Sequence, residues 1–168
     1  MSALRRESRE DRAWTVLSSV ADPEIPVLSV VDLGVIRRVA ARPDGVLEVG
    51  LSPTYSGCPA GEVIRDAVER ALADAGLRPF EITAVLSPPW SSEWITAAGR
   101  AKLHAYGIAP PSRIAAHPKQ LLRGDHPAAC PHCGSADTEC VSEFGSTPCK
   151  ALYRCRACLE PFDYFKCI

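Results

Sequence analysis

Apolar and polar positions alternate along the first half of the chain with two different periods. Leu47, Val49 and Leu51 are separated by Glu48 and Gly50, the period-two signature of a half-buried strand, and Val35 to Ala41 has the same strand character. Pro43-Asp44-Gly45 lies between them. Pro, Asp and Gly each favour tight turns for separate reasons, so the two segments are expected to pair as an antiparallel hairpin. Past Leu51 the period becomes helical. Val63, Ile64, Ala67, Val68, Ala71, Leu72 and Ala75 recur on one face, Pro59 suits a first helical position, and Gly76 supplies a stop. Phe80, Ile82, Ala84 and Leu86 then restore period two. A helix between two strands is the crossover that parallel neighbours require, so the third strand is expected to run parallel to its sheet neighbour.

Arg9 to Val20 also carries a helical stripe in Trp14, Leu17 and Val20, with Ser8 and Asp11 as a start signal and Asp22-Pro23 as its end. Ser29 to Gly34 reads as one short turn. After Ser87-Pro88-Pro89, Ser91 or Ser92 can cap a helix bearing Trp94, Ile95, Ala98 and Leu103 and stopped by Gly107. From Gly107 to Ala129 prolines recur without any period, which reads as a linker. The pattern therefore predicts an α+β chain: a small mixed sheet with helices over residues 1–111, a linker over 112–128, and a cysteine-rich module over 129–168.

Composition narrows the function classes. A formal charge of −1, from 19 basic and 20 acidic side chains, provides no global field for nucleic acid or an anionic membrane. Lys150, Arg154 and Arg156 are a thin basic stripe, offset by Glu143, Glu160 and Asp163. No apolar run is long enough to cross a bilayer and the polar N-terminus lacks a signal-like core, so a cytoplasmic protein is expected. Seven of the eight cysteines fall between Cys130 and Cys167. In a reducing compartment, Cys130-Pro-His-Cys133 and Cys155-Arg-Ala-Cys158 read as the two knuckles of a four-cysteine structural zinc ribbon, with iron as the rival metal.

Outside the knuckles, Cys58 sits where the second strand gives way to the helix, at or next to its N-cap. Unpaired N–H groups and the helix dipole favour thiolate there, whereas the competing reading is a small buried hydrophobe. Asp22 and Glu24 lie in a rigid two-proline loop and are solvated, cap a neighbour, or touch a ligand. Cys140, Cys149 and Cys167 either pack the small module or, for Cys149 and Cys167, meet a metal, a cluster or Cys58.

Several stretches together resemble a known family. Asp22-Pro-Glu-Ile-Pro26, Asp32-Leu-Gly34, Tyr55-Ser-Gly-Cys-Pro59, the Trp90/Trp94 segment, Gly107-Ile-Ala-Pro-Pro111, Glu143-Phe-Gly-Ser-Thr-Pro-Cys149 and the run from Glu160 to Cys167 are similar to the PaaD family. Its members are small accessory subunits of the bacterial phenylacetyl-CoA ring epoxidase, with an N-terminal domain similar to SufT-type iron–sulfur assembly factors. The resemblance implies a non-catalytic maturation role: loading iron or an iron–sulfur cluster onto epoxidase components, the reductase first among them. It implies Cys58 as a transient ligand or transfer thiol, with Asp22, Glu24 and Asp32 in support, and structural zinc on Cys130, Cys133, Cys155 and Cys158. A binding-only subunit of the epoxidase is the alternative. A homodimer is a further expectation, and neither nucleic acid nor membrane is an expected partner. Cys140 has no counterpart in the family pattern.

Overall fold

The computed structural model describes residues 7–54, 60–111 and 128–166. Contacts divide the chain into two compact units, Met1–Trp90 and Ser91–Ile168. In the first unit Ser8 caps α1 (Arg9–Leu17): its Oγ accepts from the Asp11 N–H at 3.0 Å, and the Asp11 carboxylate accepts from the Ser8 N–H at 3.2 Å. Strands β1 (Ile36–Ala41) and β2 (Leu47–Leu51) form the expected antiparallel hairpin, with Val39 opposite Val49. The described part of α2 (Ala60–Asp74) leads to β3 (Phe80–Ala84), which lies parallel to β2 with Val49 opposite Ile82. The third strand stops at Ala84 rather than Leu86 because its partner ends at Leu51, the residue paired with Ala84.

The sheet order is β1-β2-β3. Leu47 and Val49 are fully buried, as are Val68 and Leu72 of α2 and Leu17 of α1, and α1 packs on both α2 and β1. Each such side chain contributes about 1.5–3 kcal/mol by leaving water. Side chains also satisfy both outer strands: the Glu10 carboxylate accepts the Ala41 N–H at 3.0 Å, and Arg65 donates to the Ile82 carbonyl at 3.0 Å.

In the second unit the expected single helix after Ser91 is two pieces. Ser91 caps a 3-10 turn (Ser92–Trp94), Ile95 turns extended, and Thr96 starts α3 (Ala97–Ala105) by accepting the Gly99 N–H at 2.9 Å. A second capping side chain so close to the first competes with helix continuation. Gly107, at φ +87°, ends α3. Next comes β4 (Ile108–Ala109), parallel to β7 (Pro161–Phe165), in a stretch the sequence pattern reads as linker. Two residues are too few to show a period, which is why the strand is invisible in the sequence. With β5 (Thr138–Ser142) and β6 (Lys150–Cys155), the second sheet has the order β4-β7-β6-β5. Tyr153, Phe162 and Tyr164 form its aromatic core, with the Tyr153 ring 5.8 Å from Phe162 and 5.3 Å from Tyr164.

By its contacts, then, the segment 91–111 groups with the cysteine-rich module, whereas the sequence pattern draws the boundary at residue 111. Most of the expected linker lies outside the described residues. Among the described residues no helix is long and apolar enough to cross a membrane.

Candidate functional site

Two turns, one before β5 and one between β6 and β7, build a four-sulfur site. After β4, the chain returns at Cys130, whose N–H donates to Ser135 O at 2.9 Å while Gly134 N–H donates back to Cys130 O at 2.8 Å. At the end of β6, Cys155 N–H donates to Glu160 O at 3.0 Å, and the Cys158 N–H points at Cys155 Sγ from 3.5 Å. The residue after each second cysteine is left-handed: Gly134 at φ +75° and Leu159 at φ +67°. Glycine adopts that conformation without strain; leucine does so against a steric penalty of about 1–2 kcal/mol. The register that puts Cys155 at the end of β6, opposite Thr138, thus delivers the second pair of sulfurs to the first.

The four Sγ atoms lie within 4.8 Å of one another, with Cys130 to Cys158 at 3.7 Å and Cys133 to Cys155 at 3.5 Å. A tetrahedral ion with metal–sulfur bonds of about 2.3 Å needs sulfur–sulfur edges of about 3.8 Å, so the set fits one ion closely. An iron–sulfur cluster would place several iron and sulfide atoms between the same sulfurs, for which this spacing leaves no room. Four neighbouring thiols do not ionise independently. The N–H groups of Cys158 and then Ala157 draw the Cys155 thiol down to about 6. Cys158 is pushed up to about 12: the Glu160 N–H opposes the shift, but burial and the sulfurs of Cys133, Cys155 and Cys130 outweigh it. Cys133 is likewise raised, its Ser135 N–H contact overcome by Cys155 and burial. A divalent cation removes the repulsion that keeps the last protons in place.

The remaining expectations scatter. Asp22 is buried in the loop after α1, its Oδ1 accepting from the N–H groups of Glu24 at 2.9 Å and Ile25 at 2.7 Å. Asp32 is buried too, and its Oδ2 accepts from Ser29 N–H at 3.0 Å and Ser29 Oγ at 2.9 Å. These contacts shape the turn leading to Gly34 and β1; Trp90 closes it by donating its indole N–H to Leu33 O at 3.1 Å. Cys58 and Cys167 lie outside the described residues. Cys149 is buried with its Sγ 3.0 Å from Thr147 Oγ1, and it is not among the four clustered sulfurs; Cys140 is exposed on β5.

Some contacts have no signal in the sequence. Lys150, read there as part of a basic stripe, is buried and pairs with Asp163 at 3.3 Å. Gly145 lies over this pair so closely that a Cβ would come within 3.1 Å of Asp163 Oδ1 and 3.3 Å of the Lys150 backbone. Arg100 donates to Pro111 O at 2.5 Å and to Ser92 O at 2.7 Å. In the first unit a pocket of about 270 Å³ opens where β2 ends and α2 begins, with Val35, Leu51 and Ile64 on its apolar side.

Comparison with known proteins follows the same division. The PaaD zinc beta ribbon domain model matches residues 115–166, and the iron-sulfur cluster assembly protein model matches residues 10–85. One relative, from Escherichia coli K12, is 46% identical over 158 residues, covering 92% of this chain and 91% of its own. The chain belongs to the PaaD family. That relative's name assigns it provisionally to 1,2-phenylacetyl-CoA epoxidase as one of its subunits. The first unit alone is similar to two proteins named as Fe-S protein maturation auxiliary factors. YitW of Bacillus subtilis is 33% identical over 52% of this chain and 85% of its own, and SufT of Staphylococcus aureus is 35% identical over 46% and 88%. A DUF59 domain of unknown function from Bacillus anthracis has the same fold, with a TM-score of 0.52 at 27% identity over 56% of this chain and 91% of its own. The α+β expectation and the zinc-ribbon assignment of this PaaD-family chain both stand.

Proposed function

We propose that this chain is a non-catalytic accessory factor of the phenylacetyl-CoA epoxidase system that assists insertion of iron or an iron–sulfur cluster into epoxidase components, with the reductase as client. The observation that carries the reading is the coexistence, in one chain of the PaaD family, of a unit matching iron–sulfur assembly proteins and a separate ribbon with four clustered thiols. A zinc ion held by four thiolates has no open position, so the ribbon supplies shape and a docking scaffold rather than chemistry. Transfer then falls to the first unit, with Cys58 as the exchanging thiol two residues before Ala60 in the sequence and with Asp22, Glu24 and Asp32 as supporting residues.

The experiment is anaerobic co-production of the reductase with the native chain or its Cys58→Ala variant, followed by iron and sulfide analysis of the purified reductase. The variant should fold normally and yield reductase poor in cluster. Full cluster occupancy with Cys58→Ala would remove the role given to Cys58. The relative named for the epoxidase favours a second reading, a binding-only component. That reading requires a stable stoichiometric complex with the epoxidase and indifference to the Cys58 substitution.

A further inference from the structure

The four sulfurs occupy one end of the second sheet, and an exposed aromatic occupies the other. Cys155 closes β6 at the sulfur end, whereas Lys150 opens it beside the loop from Glu143 to Cys149. In that loop Phe144 is 70% exposed. The backbone that carries it is braced from several sides. Ser142 Oγ accepts the Phe144 N–H at 3.2 Å and donates to Phe144 O at 2.8 Å, and the Gly145 N–H donates to Lys150 O at 2.8 Å. The Lys166 ammonium donates to Glu143 O at 3.1 Å and lies 4.8 Å from the centre of the Phe144 ring, over one of its faces. Beneath the ring, Gly145 packs on the Lys150–Asp163 pair too closely to admit even a Cβ without displacement. A large apolar side chain is thus held in water by a fixed backbone, which gives the isolated fold little of the stabilisation that burying the ring would supply.

The geometry points to Phe144 as the docking anchor of the ribbon: a preformed knob that enters an apolar pocket of the client protein, with a carboxylate of that protein at the pocket's lip against Lys166. The assignment rests on the accessory role proposed above, with the reductase as client, and adds the residues that make the contact. Three observations select this occupant. Lys166 has three N–H donors, of which the Glu143 carbonyl takes one, leaving two without an acceptor among the described residues and hence a preference for an acidic lip. Glu143, exposed on the same loop, is the charge that opposes such a lip. The ring and the exposed Val141 offer on the order of 200 Å² of apolar surface against about 800 Å² per partner in a stable interface, so a second copy bearing the same knob is a poor match and a concave partner a good one. Strand addition to the edge of β5 is disfavoured, because the pairing skips from Cys140 to Ser142 and the resulting bulge at Val141 breaks the edge. Rigid presentation lowers the entropy lost on docking, which suits an aromatic anchor.

The test is anaerobic titration calorimetry of the full-length, zinc-loaded chain against the purified reductase, paired with iron and sulfide analysis of reductase co-produced with each variant. Phe144→Ala, whose fold is checked by zinc content and circular dichroism, should weaken binding about 30-fold, the loss expected of an anchor residue. Lys166→Gln keeps a donor for the Glu143 carbonyl but removes the charge, so it should weaken binding several-fold and flatten its dependence on salt. Glu143→Gln should tighten binding. Tyr106→Ala removes another exposed aromatic, next to β4 at the far edge of the sheet from β5, and should bind as the native chain does. Cys58→Ala should also bind normally while leaving the reductase poor in cluster, which separates docking from transfer. Native affinity in Phe144→Ala, an equal loss in Tyr106→Ala, no binding by the native chain, or a self-associated chain that Phe144→Ala renders monomeric would each overturn the anchor. Full cluster occupancy with Cys58→Ala would overturn the transfer reading alone, since the loss of affinity in Phe144→Ala would still support the anchor.

Discussion

Replacing Asp163 by alanine tests whether the ion pair inside the ribbon behaves as a buried pair or a surface one. The Lys150 side chain is 8% exposed and Asp163 26%, with 3.3 Å between Nζ and Oδ2, and Ser146 Oγ lies 3.4 Å from the same oxygen. Surface pairs contribute about 0–1 kcal/mol, whereas removing one partner of a buried pair costs about 3–5 kcal/mol because the other charge is stranded. The partial exposure of Asp163 places Asp163→Ala at the lower end, about 3 kcal/mol. The same reasoning makes the double replacement Lys150→Met with Asp163→Leu nearly neutral, since both charges leave together. The assay is thermal unfolding of the zinc-loaded chain, followed by near-ultraviolet circular dichroism, which reports on the tyrosines packed in the second unit. At about 4–8 °C per kcal/mol for a unit of this size, the single variant should melt well over 10 °C lower and the double variant close to the native chain. A single-variant shift of only a few degrees would refute the buried-pair argument. So would a double variant as unstable as the single one.

Three further outcomes follow from the ribbon. Gly145→Ala should destabilise the second unit by about 1–3 kcal/mol in chemical unfolding, because the new Cβ meets Lys150 backbone and Asp163, neither free to retreat. Cys133→Ser should abolish stoichiometric zinc in metal analysis of the purified protein, while Cys140→Ser, at an exposed position outside the four-sulfur set, should leave one zinc per chain. Zinc affinity measured by competition should fall with falling pH, since protons compete for the raised thiols of Cys158, at about 12, and Cys133. Cys155, lowered to about 6, is already ionised at neutral pH and joins the competition only below that value, so the slope should steepen near pH 6.

How far the chain could be read in advance depended on whether the determining physics was local. The β1–β2 hairpin, α2 and the parallel β3 follow from side-chain period and turn chemistry that a window of a few residues contains. The ribbon's ligands follow from a spacing rule in which the metal itself enforces the geometry. Ile108–Ala109 was illegible because a two-residue strand exists only through its neighbour β7, and no local preference marks it. Lys150 reads as a surface cation for a related reason: nothing near it in sequence announces that Asp163 waits on the neighbouring strand β7. Ser52 is hidden in the same way, since nothing local marks a serine just past the end of β2 as buried.

The ribbon's metal site separates on coordination grounds from the transfer role proposed for the first unit. A thiolate site whose four sulfurs already match one tetrahedral ion gains nothing by releasing it, and exchange would have to open a shell held by two knuckles at once. A thiol that hands metal onward needs the opposite: few ligands, an accessible path and a partner able to complete the shell. Zinc content therefore reports on the integrity of the ribbon and not on transfer, and a Cys58→Ala chain should retain its zinc in full. Loss of zinc from that variant would mean that the two units share a metal site, and the division of labour proposed for them would fail.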